Sequence, residues 1–293
     1  MSVQTEITRI AGRIADSYAA CDELGGTLPA TQNSNNLADC IRTIPAGPQF
    51  TYTGTYEFTD EGNDNWTLKL LTSGTLNFSY LGTNIDMFMV GGGAGGGSGR
   101  YQSTLTTSNK YFGGYGGGSG YTRSIGDISV TVGTDYAIVI AAGGAAGSSS
   151  GAGGTGGTTS AFSYSCQGGY SAGPFESDCP SGGSGGGKRG YQGRSGYSGG
   201  TDGYADNTYE DFGLGQRYTQ VYPGETSTRA FYSLDADVNK TMYAAGGAGG
   251  TSVSSVVGAD GEANTGNGGE GAGRTANGGA GGSGIIILRD HRS

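Results

Sequence analysis

The sequence contains few charged residues, and its apolar runs are short. Only 14% of its 293 residues are charged, so charge repulsion does not keep the chain disordered. No apolar stretch approaches the roughly 20 residues that a helix needs to cross a bilayer. The N-terminus also lacks the basic, apolar and small-residue order of a secretory signal. We therefore expect no membrane insertion, and work outside a cell would require another route of release, such as lysis of a host.

A single histidine restricts the catalytic chemistry that the sequence supports. Residues 196–200 match the G-x-S-x-G pattern of serine hydrolases, but His291, near the C-terminus, is the only histidine that could act as the base. Residues 182–188 fit a phosphate-binding loop until Arg189, where that loop needs serine or threonine. No spacing of carboxylates selects a pair for glycan hydrolysis. We therefore predict no enzyme activity, no cofactor and no metal site.

The charge that is present is mostly acidic, and the net charge is −9. An acidic chain is repelled by phosphate backbones and by anionic lipid surfaces. Nucleic acid and membrane surfaces are therefore not among the expected partners.

Cysteine is also scarce, and its four positions do not form a metal-binding pattern. No pair has the C-x-x-C spacing, and one histidine does not complete a zinc site with them. Cys21 and Cys40 fall on apolar positions of predicted helices, which favours buried thiols. Cys166 and Cys179 bracket a loop, and their spacing leaves a disulfide and two separate thiols equally open.

Residues 1–45 are predicted to be a helical segment for oligomerisation and attachment. A helix over 3–24 carries apolar residues at heptad spacing, and isoleucine at both kinds of core position favours three strands. We predict a homotrimer formed through the following residues: Val3, Ile7, Ile10, Ile14 and Leu24. The same pattern also fits an amphipathic helix that lies on its own domain. Asn33 offers a cap for a second, short helix that ends before Pro45.

From Phe50 the hydrophobic period changes to two, which is typical of half-buried strands. Alternating or continuous apolar residues predict strands in the following segments: 50–58, 66–70, 76–80, 86–90, 121–125, 128–132, 136–140 and 285–288. The first four are predicted to form an antiparallel meander, with a turn at 60–65. The segment 227–233 fits a further strand.

Glycine accounts for 64 residues, and most lie in tracts between the predicted strands. The tracts occupy 91–99, 113–120, 141–157, 182–187, 244–250, 266–273 and 278–284. A polyglycine II helix has three residues per turn and no internal hydrogen bonds, like polyproline II. Neighbouring helices without side chains can bond laterally, and each bond contributes roughly 0.5–1.5 kcal/mol. We therefore predict a mainly β domain over 46–293, in which antiparallel β-strands frame a polyglycine II helix bundle. Flexible linkers are the alternative.

Two sets of motifs together extend over nearly the whole chain. The first is Met-Ser-Val-Gln-Thr-Glu-Ile-Thr-Arg-Ile-Ala-Gly at 1–12 and Asn-Ser-Asn-Asn-Leu-Ala-Asp-Cys-Ile at 33–41. This set resembles the N-terminal segment of phage and prophage tail fibre proteins. The second set occupies 52–56, 64–66, 71–76, 89–93 and 284–289. It is similar to the glycine-rich domain of such proteins.

The resemblance implies a non-catalytic virion protein, either a tail fibre or a tip adhesin. Such a protein assembles in the host cytoplasm with other tail or virion proteins and acts outside the cell. In glycine-rich phage adhesins the loops between the tracts recognise the host, which points here to 100–112, 162–180, 188–204 and 204–243. The alternative is a structural virion protein, such as a fibre shaft, baseplate or head decoration, without a specific ligand.

Aromatic residues in these loops are the candidates for contact with a bacterial surface glycan or protein. Tyrosine offers a rigid amphipathic contact at low entropic cost, as in antibody paratopes. The candidate receptor-binding residues are the following: Tyr101, Tyr111, Tyr170, Phe175, Tyr191, Tyr197, Tyr204 and Tyr209. The same rings would also suit the simpler task of covering the ends of the glycine bundle.

Overall fold

The computed structural model describes residues 3–23, 26–43, 47–62, 65–104, 110–171, 182–191, 193–196, 198–199 and 243–291. Within them the protein is mainly β, with antiparallel sheets and two short N-terminal helices, as predicted. The helices are α1 (Val3–Glu23) and α2 (Ser34–Arg42). The strands are β1 (Gln49–Tyr52), β2 (Tyr56–Gly62), β3 (Asn65–Leu70), β4 (Gly74–Tyr80), β5 (Ile85–Val90), β6 (Arg100–Tyr101), β7 (Tyr111–Phe112), β8 (Thr122–Ile128), β9 (Asp135–Ile138), β10 (Thr159–Ala161), β11 (Tyr164–Cys166) and β12 (Ile285–Asp290).

The two helices form a hairpin with its own small core. The Asn33 side chain caps α2 by accepting the N–H of Asn35 at 2.9 Å, as its position predicted. Tyr18, Cys21 and Cys40 are buried together. The prediction of buried thiols is wrong, because Cys21 and Cys40 form a disulfide. Only the fold-back of α2 on α1, which the sequence pattern did not specify, brings these two residues together.

Two antiparallel sheets share the main apolar core. The larger has the strand order β2-β3-β12-β5-β8, and the smaller has the order β1-β4-β9. Trp66 and Leu68 of β3 are buried in this core with Phe78 of β4. The rings of Trp66 and Phe78 lie 6.4 Å apart. Burial of one such side chain contributes about 1.5–3 kcal/mol, so this core anchors the domain.

The predicted meander is wrong beyond the pairing of β2 with β3, because the chain then crosses to the smaller sheet at β4 and returns to the larger sheet at β5. β3 pairs with β2 and β12, whereas β4 pairs with β1 and β9. The segment 50–58 is accordingly two strands, separated between Tyr52 and Tyr56. A Cβ on Gly54 would lie 2.7 Å from the carbonyl oxygen of Thr72. Glycine therefore permits a close backbone approach at the point where the chain changes sheet.

The strand predictions after the first glycine tract hold only in part. Strand 121–125 is confirmed and extends to Ile128 as β8, but 128–132 is not a separate strand. The N–H of Gly133 donates to the carbonyl of Phe78 at 2.7 Å, and its φ of 78° favours glycine. The chain therefore turns before β9 instead of continuing as a strand.

Two other connections differ from the sequence prediction. The turn predicted at 60–65 is shorter, because β2 reaches Gly62 and β3 begins at Asn65. The hairpin of β10 and β11 was not predicted. Its turn places Phe162 and Ser163 at positive φ, whereas sequence recognition of such a turn relies on asparagine or glycine at these positions. The segment 227–233 lies outside the described residues.

β5 and β12, the strands before and after the glycine-rich region, are neighbours in the larger sheet. This arrangement agrees with the prediction that β-strands frame the glycine bundle. Every residue of β5 is buried, and Phe88 of β5 faces Ile287 of β12 in antiparallel register. β5 leads directly into tract 91–99, and tract 278–284 leads directly into β12. The apolar sheet thus fixes the start and the end of the glycine region at one place.

The tracts form a bundle whose hydrogen bonds repeat every third residue. Residues 91, 94 and 97 donate to carbonyls in 115–121, residues 92, 95 and 98 to carbonyls in 151–157, and residues 93, 96 and 99 to carbonyls in 276–284, at 2.8–3.1 Å. Carbonyls of tract 91–99 in turn accept from Gly144, Gly169 and Gly269. The central tract therefore bonds to six neighbouring segments. A period of three with exclusively lateral bonds is the polyglycine II arrangement.

Close packing explains why the central tract is nearly free of side chains. A Cβ on Gly93 would overlap the carbonyl oxygen of Asn267, and one on Gly96 would overlap that of Glu270. Ala94 shows that one position can hold a methyl group, because it is fully buried. Gly97, one turn further, has its nearest neighbour 3.4 Å from an added Cβ. The requirement for glycine thus depends on which neighbour a residue faces.

Two edge segments of the bundle were not predicted as tracts. In 256–261 the N–H of Gly258 donates to Asn277 at 3.0 Å, and Gly261 donates to Ala280 at 2.8 Å. Gly196 and Gly199 likewise lie so close to the carbonyls of tract 244–250 that a Cβ would overlap them. An edge helix faces the bundle only once per turn, so glycine at every third residue is sufficient.

A candidate binding surface at the distal tip of the glycine bundle

The distal tip is the end of the glycine bundle that lies opposite the sheets. Tract 91–99 leaves the sheets at β5, so its far end is Gly99. Other tract ends meet here, because Gly99 donates to Ala276 at 3.0 Å and Gly113 donates to Gly190 at 2.9 Å. The distal tip is formed by residues 100–104, 110–112, 188–191, 193–194, 251–252 and 274.

Three of the predicted receptor-binding tyrosines come together on the distal tip. The rings of Tyr101 in β6 and Tyr111 in β7 lie 5.1 Å apart across their hairpin. Tyr191 joins them through a β-bridge with Phe112. Tyr101 is 52% exposed and Tyr191 is 39% exposed. Residues from two separate loops therefore build one aromatic surface.

The other predicted aromatic residues do not contribute to this surface. Tyr170 is exposed, and its carbonyl accepts from Gly118 at 3.1 Å. Gly118 lies five residues along the tract from Gly113 at the tip, or about 15 Å at a rise of 3.1 Å per residue. The remaining candidates lie outside the described residues: Phe175, Tyr197, Tyr204 and Tyr209.

Arginine is the component of the distal tip that sequence reasoning missed. The guanidinium of Arg100 lies 5.0 Å from the centre of the Phe112 ring. That of Arg189 lies 5.0 Å from the same ring and 4.9 Å from the ring of Tyr115. Burial and the nearby positive charge of Arg189 both lower the pKa of Arg100. Two like charges thus share one aromatic residue at the end of the bundle.

Two further arginines extend the same arrangement across the tip. Arg274 lies 4.8 Å from the ring centre of Tyr111, and Arg194 lies 5.8 Å from that of Tyr191. The backbone joins these segments, because Arg274 donates its N–H to Thr251 at 3.1 Å. Tyr111 and Tyr191 therefore each have a guanidinium next to the ring, and Tyr101 packs beside Tyr111.

The distal tip is a basic region in an acidic protein. With Lys110 and Lys188, its segments hold six of the 16 lysines and arginines in the chain and no aspartate or glutamate. A charge count for each loop between tracts would have revealed this excess. The net charge of the whole chain hides it, because the acidic residues lie in other segments.

A depression in the β region is a weaker candidate for a binding site. It is lined by residues that include Asp127, Asp135, Tyr136 and Phe162. Asn84 donates to the Asp127 carboxylate, and Asn77 donates to that of Asp135, each at 2.7 Å. Both carboxylates therefore already have partners within the fold, so the distal tip is the stronger candidate.

The predicted oligomerisation residues are divided along α1. Val3 is 79% exposed, and Ile7 and Ile10 are also exposed. Ile14 instead packs against the buried cluster of Tyr18 and the disulfide. Leu24 lies outside the described residues. The first two turns of α1 thus present an apolar stripe to solvent.

The remaining sequence predictions concern absences and the second cysteine pair. In the described ranges no helix has the length and apolarity to cross a membrane. The same residues contain no group of three metal-ligating side chains placed to hold an ion. Cys166 is buried, with its sulfur 2.9 Å from the carbonyl oxygen of Tyr121. Cys179 lies outside the described residues, so the pairing of these two cysteines stays open.

Comparison with known proteins finds one family. Residues 71–290 match the family described as a glycine-rich domain. The match begins just before β4 and ends with β12, so it includes the glycine bundle and most of both sheets. No curated protein matches the chain.

Proposed function

The chain belongs to the glycine-rich domain family, and we propose that it is a phage or prophage tail fibre protein that attaches the virion to a bacterial surface. In this proposal the protein is a non-catalytic tip adhesin. The glycine bundle acts as a rigid support, and the distal tip contacts a surface glycan or protein of the host. The likeness of residues 1–12 and 33–41 to tail fibre N-termini supports the viral role.

The observation that carries the proposal is the convergence of aromatic and guanidinium groups on the distal tip. Interface contacts that contribute most to binding are enriched in tyrosine and arginine. Tyr101 and Tyr191 come from loops about 90 positions apart in the sequence, yet both remain substantially exposed. The closely bonded bundle beneath them limits the entropy lost on binding, because the described segments that carry these rings are already positioned.

The exposed stripe on α1 supports the proposed oligomer. Val3, Ile7 and Ile10 follow heptad spacing and lack burial within the described part of the chain. In a homotrimer, these residues would pack between three copies, while other tail proteins would bind the N-terminal segment. The trimer would place three distal tips on one fibre, which strengthens attachment by raising the effective concentration of each tip.

Binding of the full-length labelled protein to a panel of bacterial strains tests the attachment role. We expect binding to a subset of strains, and loss of that binding in the double variant Tyr101→Ala/Tyr191→Ala. The matched control is Tyr56→Ala, because Tyr56 is 44% exposed but belongs to β2, away from the distal tip. Binding that survives the tip variant, while its melting temperature is unchanged, would contradict the proposal.

Cryo-EM of the assembled particle distinguishes attachment from a purely structural role. We expect the distal tip at the outer end of a fibre, facing away from the virion. A chain that lines a shaft, or decorates a head with residues 100–112 packed against neighbours, would instead support a structural virion protein.

A further inference from the structure

We infer, resting on the proposed attachment function, that the distal tip binds an acidic polysaccharide through its carboxylate or phosphate groups. The placement that points to this ligand is three solvent-accessible guanidiniums, those of Arg189, Arg194 and Arg274, beside three tyrosines on one surface. Neutral sugars or apolar peptides would leave the charged component of that surface without a role in recognition.

The first observation is the uneven distribution of charge. The tip segments carry six lysines and arginines without one acidic residue, although the whole chain has a net charge of −9. Interactions between exposed charges are largely screened beyond about 8 Å at physiological ionic strength. An anionic group at the tip therefore senses the local positive charge far more than the acidic residues of the sheets, such as Glu57 and Asp86.

The second observation is the way in which the arginines are held. Arg194 and Arg274 lie 5.8 and 4.8 Å from the ring centres of Tyr191 and Tyr111. Stacking engages the flat face of a guanidinium and leaves donors along its edge, of which Nε of Arg274 already donates to the Ser252 carbonyl at 3.3 Å. Those donors match the two oxygens of a carboxylate or a phosphate. A stacked arginine is also partly ordered in advance, so less entropy is lost when it binds an anion.

The third observation favours a saccharide over other polyanions. The C–H face of a sugar ring packs against an aromatic ring, and Tyr101 and Tyr191 offer exposed rings. Gln102 and Thr104 of the same hairpin supply amide and hydroxyl groups for sugar hydroxyls. A nucleic acid carries a charge on every residue, so the parts that extend past the tip would meet the acidic remainder of the chain. A polysaccharide with widely spaced charges avoids much of this repulsion.

Direct binding measurements with defined polymers test the inference. The probes are hyaluronan for carboxylates, which it carries only on every second sugar, a phosphate-bearing mannan for phosphates, and dextran as the neutral control. Single-stranded oligo(dT) and polyglutamate represent nucleic acid and acidic protein. We expect the full-length protein to bind an acidic polysaccharide more tightly than the other three probes, and the preferred polysaccharide identifies the anionic group.

The variant Lys188→Gln/Arg194→Gln removes two exposed charges from the tip and retains polar side chains. We expect it to weaken binding by about tenfold or more, because hydrogen bonds to charged groups are among the stronger ones. Its binding should also depend less steeply on salt. Arg123→Gln is the matched control, since Arg123 also stacks on a tyrosine, Tyr164, but in the β region. It should leave binding unchanged.

Equal binding to dextran, tighter binding to oligo(dT) or polyglutamate, or no effect of the tip variant would overturn the inference. The attachment role can be judged separately from the ligand class. Binding to bacteria that is lost in Tyr101→Ala/Tyr191→Ala, but is not inhibited by acidic polysaccharide, would retain the attachment role and reject the ligand class. Tip-dependent polysaccharide binding without binding to any bacterium would retain the ligand class and count against the attachment role.

Discussion

The protein has two interiors that are equally buried and chemically opposite. The sheet core contains large apolar side chains, such as Leu68, Phe78 and Ile286, with no exposed surface. In the glycine bundle, residues 91–99 are all buried as well, yet eight of the nine are glycine or alanine. The first interior is stabilised mainly by the removal of apolar surface from water. The second depends on backbone hydrogen bonds between tracts.

The comparison shows that burial alone does not predict how an interior responds to mutation. A sheet core loses stability when a side chain becomes smaller, because a cavity remains. The glycine bundle loses stability when a side chain becomes larger, because at most tract positions an added Cβ would enter the space of a neighbouring carbonyl. The two interiors should therefore have opposite preferences for side-chain size.

The largest expected effect is from valine inside the glycine bundle. In Gly92→Val or Gly247→Val, the new Cβ would overlap the carbonyl oxygen of Ala142 or Gly269. Because these neighbours are backbone, they cannot rotate away, and we expect a loss of more than about 4 kcal/mol, which prevents folding. Circular dichroism and proteolysis measure this loss. The control is Gly12→Val on exposed α1, where no atom lies within 4 Å, and a melt of either bundle variant that matches this control would refute close packing.

Truncation in the sheet core should have the next largest effect. Phe78→Ala removes a fully buried ring and should lower the free energy of unfolding by about 3–5 kcal/mol. Phe58→Ala removes a ring that is 39% exposed on β2 and should cost markedly less. Urea denaturation of both variants measures the difference. Equal losses would show that the core is not where the structure places it.

Removal of the disulfide should destabilise only the helical hairpin. The bond joins residues that are 19 positions apart, and a loop of this size contributes about 3 kcal/mol. We expect Cys21→Ala/Cys40→Ala to unfold α1 and α2 at lower temperature, with the transition of the glycine bundle unchanged. Helical circular dichroism reports the first transition, and near-ultraviolet circular dichroism of Trp66, buried in the sheet core that anchors the glycine bundle, reports the second. A common shift of both transitions would mean that the hairpin and the bundle unfold together.

The smallest expected effect is a pH dependence at the end of β12. The hydrogen bond to Asp86, 2.7 Å long, raises the pKa of His291. Burial opposes ionisation of Asp86, but its bonds to His291 and to the N–H of Asp127, with the charge of Arg289, lower its pKa overall. The Asp86 contribution is lost as pH falls through its lowered pKa, and the His291 contribution is lost as pH rises through its raised pKa.

The stabilising window of this pair therefore lies between the ordinary pKa values of aspartate and histidine, near 4 and 6.5. Thermal melts from pH 3 to pH 9 should show higher stability in this window for the native protein than for His291→Gln. Parallel pH profiles for the two proteins would show that the ion pair does not contribute.

Local sequence patterns predicted the strands and glycine tracts whose residue types are set by their immediate neighbours. The glycine-rich tract 91–99 was recognisable because all of its residues are buried between neighbouring segments, which excludes large side chains. Segment 256–261 was not, since an edge helix needs glycine only once per turn and leaves Val256 and Val257 exposed. A search for glycine at a spacing of three would have found it. Segment 50–58 divides into β1 and β2, which belong to different sheets. The division occurs at Gly54, where the backbone approaches Thr72 closely, and no local pattern encodes a contact between residues so far apart in the sequence.

The aromatic residues of the distal tip were predictable from the sequence, and its arginines were not recognised. Tyrosines at 101, 111 and 191 were identified by residue type and by their place between tracts, and the structure brings these three together. Arg189 and Arg194 were missed because the net charge of the chain drew attention away from local charge. Tyr170 lies away from this surface, and a loop position alone does not say at which end of the bundle a residue lies.

The most direct test of the two-interior account compares alanine at two adjacent positions of the central tract. At Gly96 an added Cβ would overlap the carbonyl oxygen of Glu270, whereas at Gly97 the nearest atom would lie 3.4 Å away. We expect Gly96→Ala to lower the free energy of unfolding by about 2 kcal/mol or more. Gly97→Ala should leave it unchanged or raise it by up to about 1 kcal/mol, through the lower entropy of the unfolded chain. Equal losses in the two variants, or no loss in either, would contradict the period-three packing of the glycine bundle.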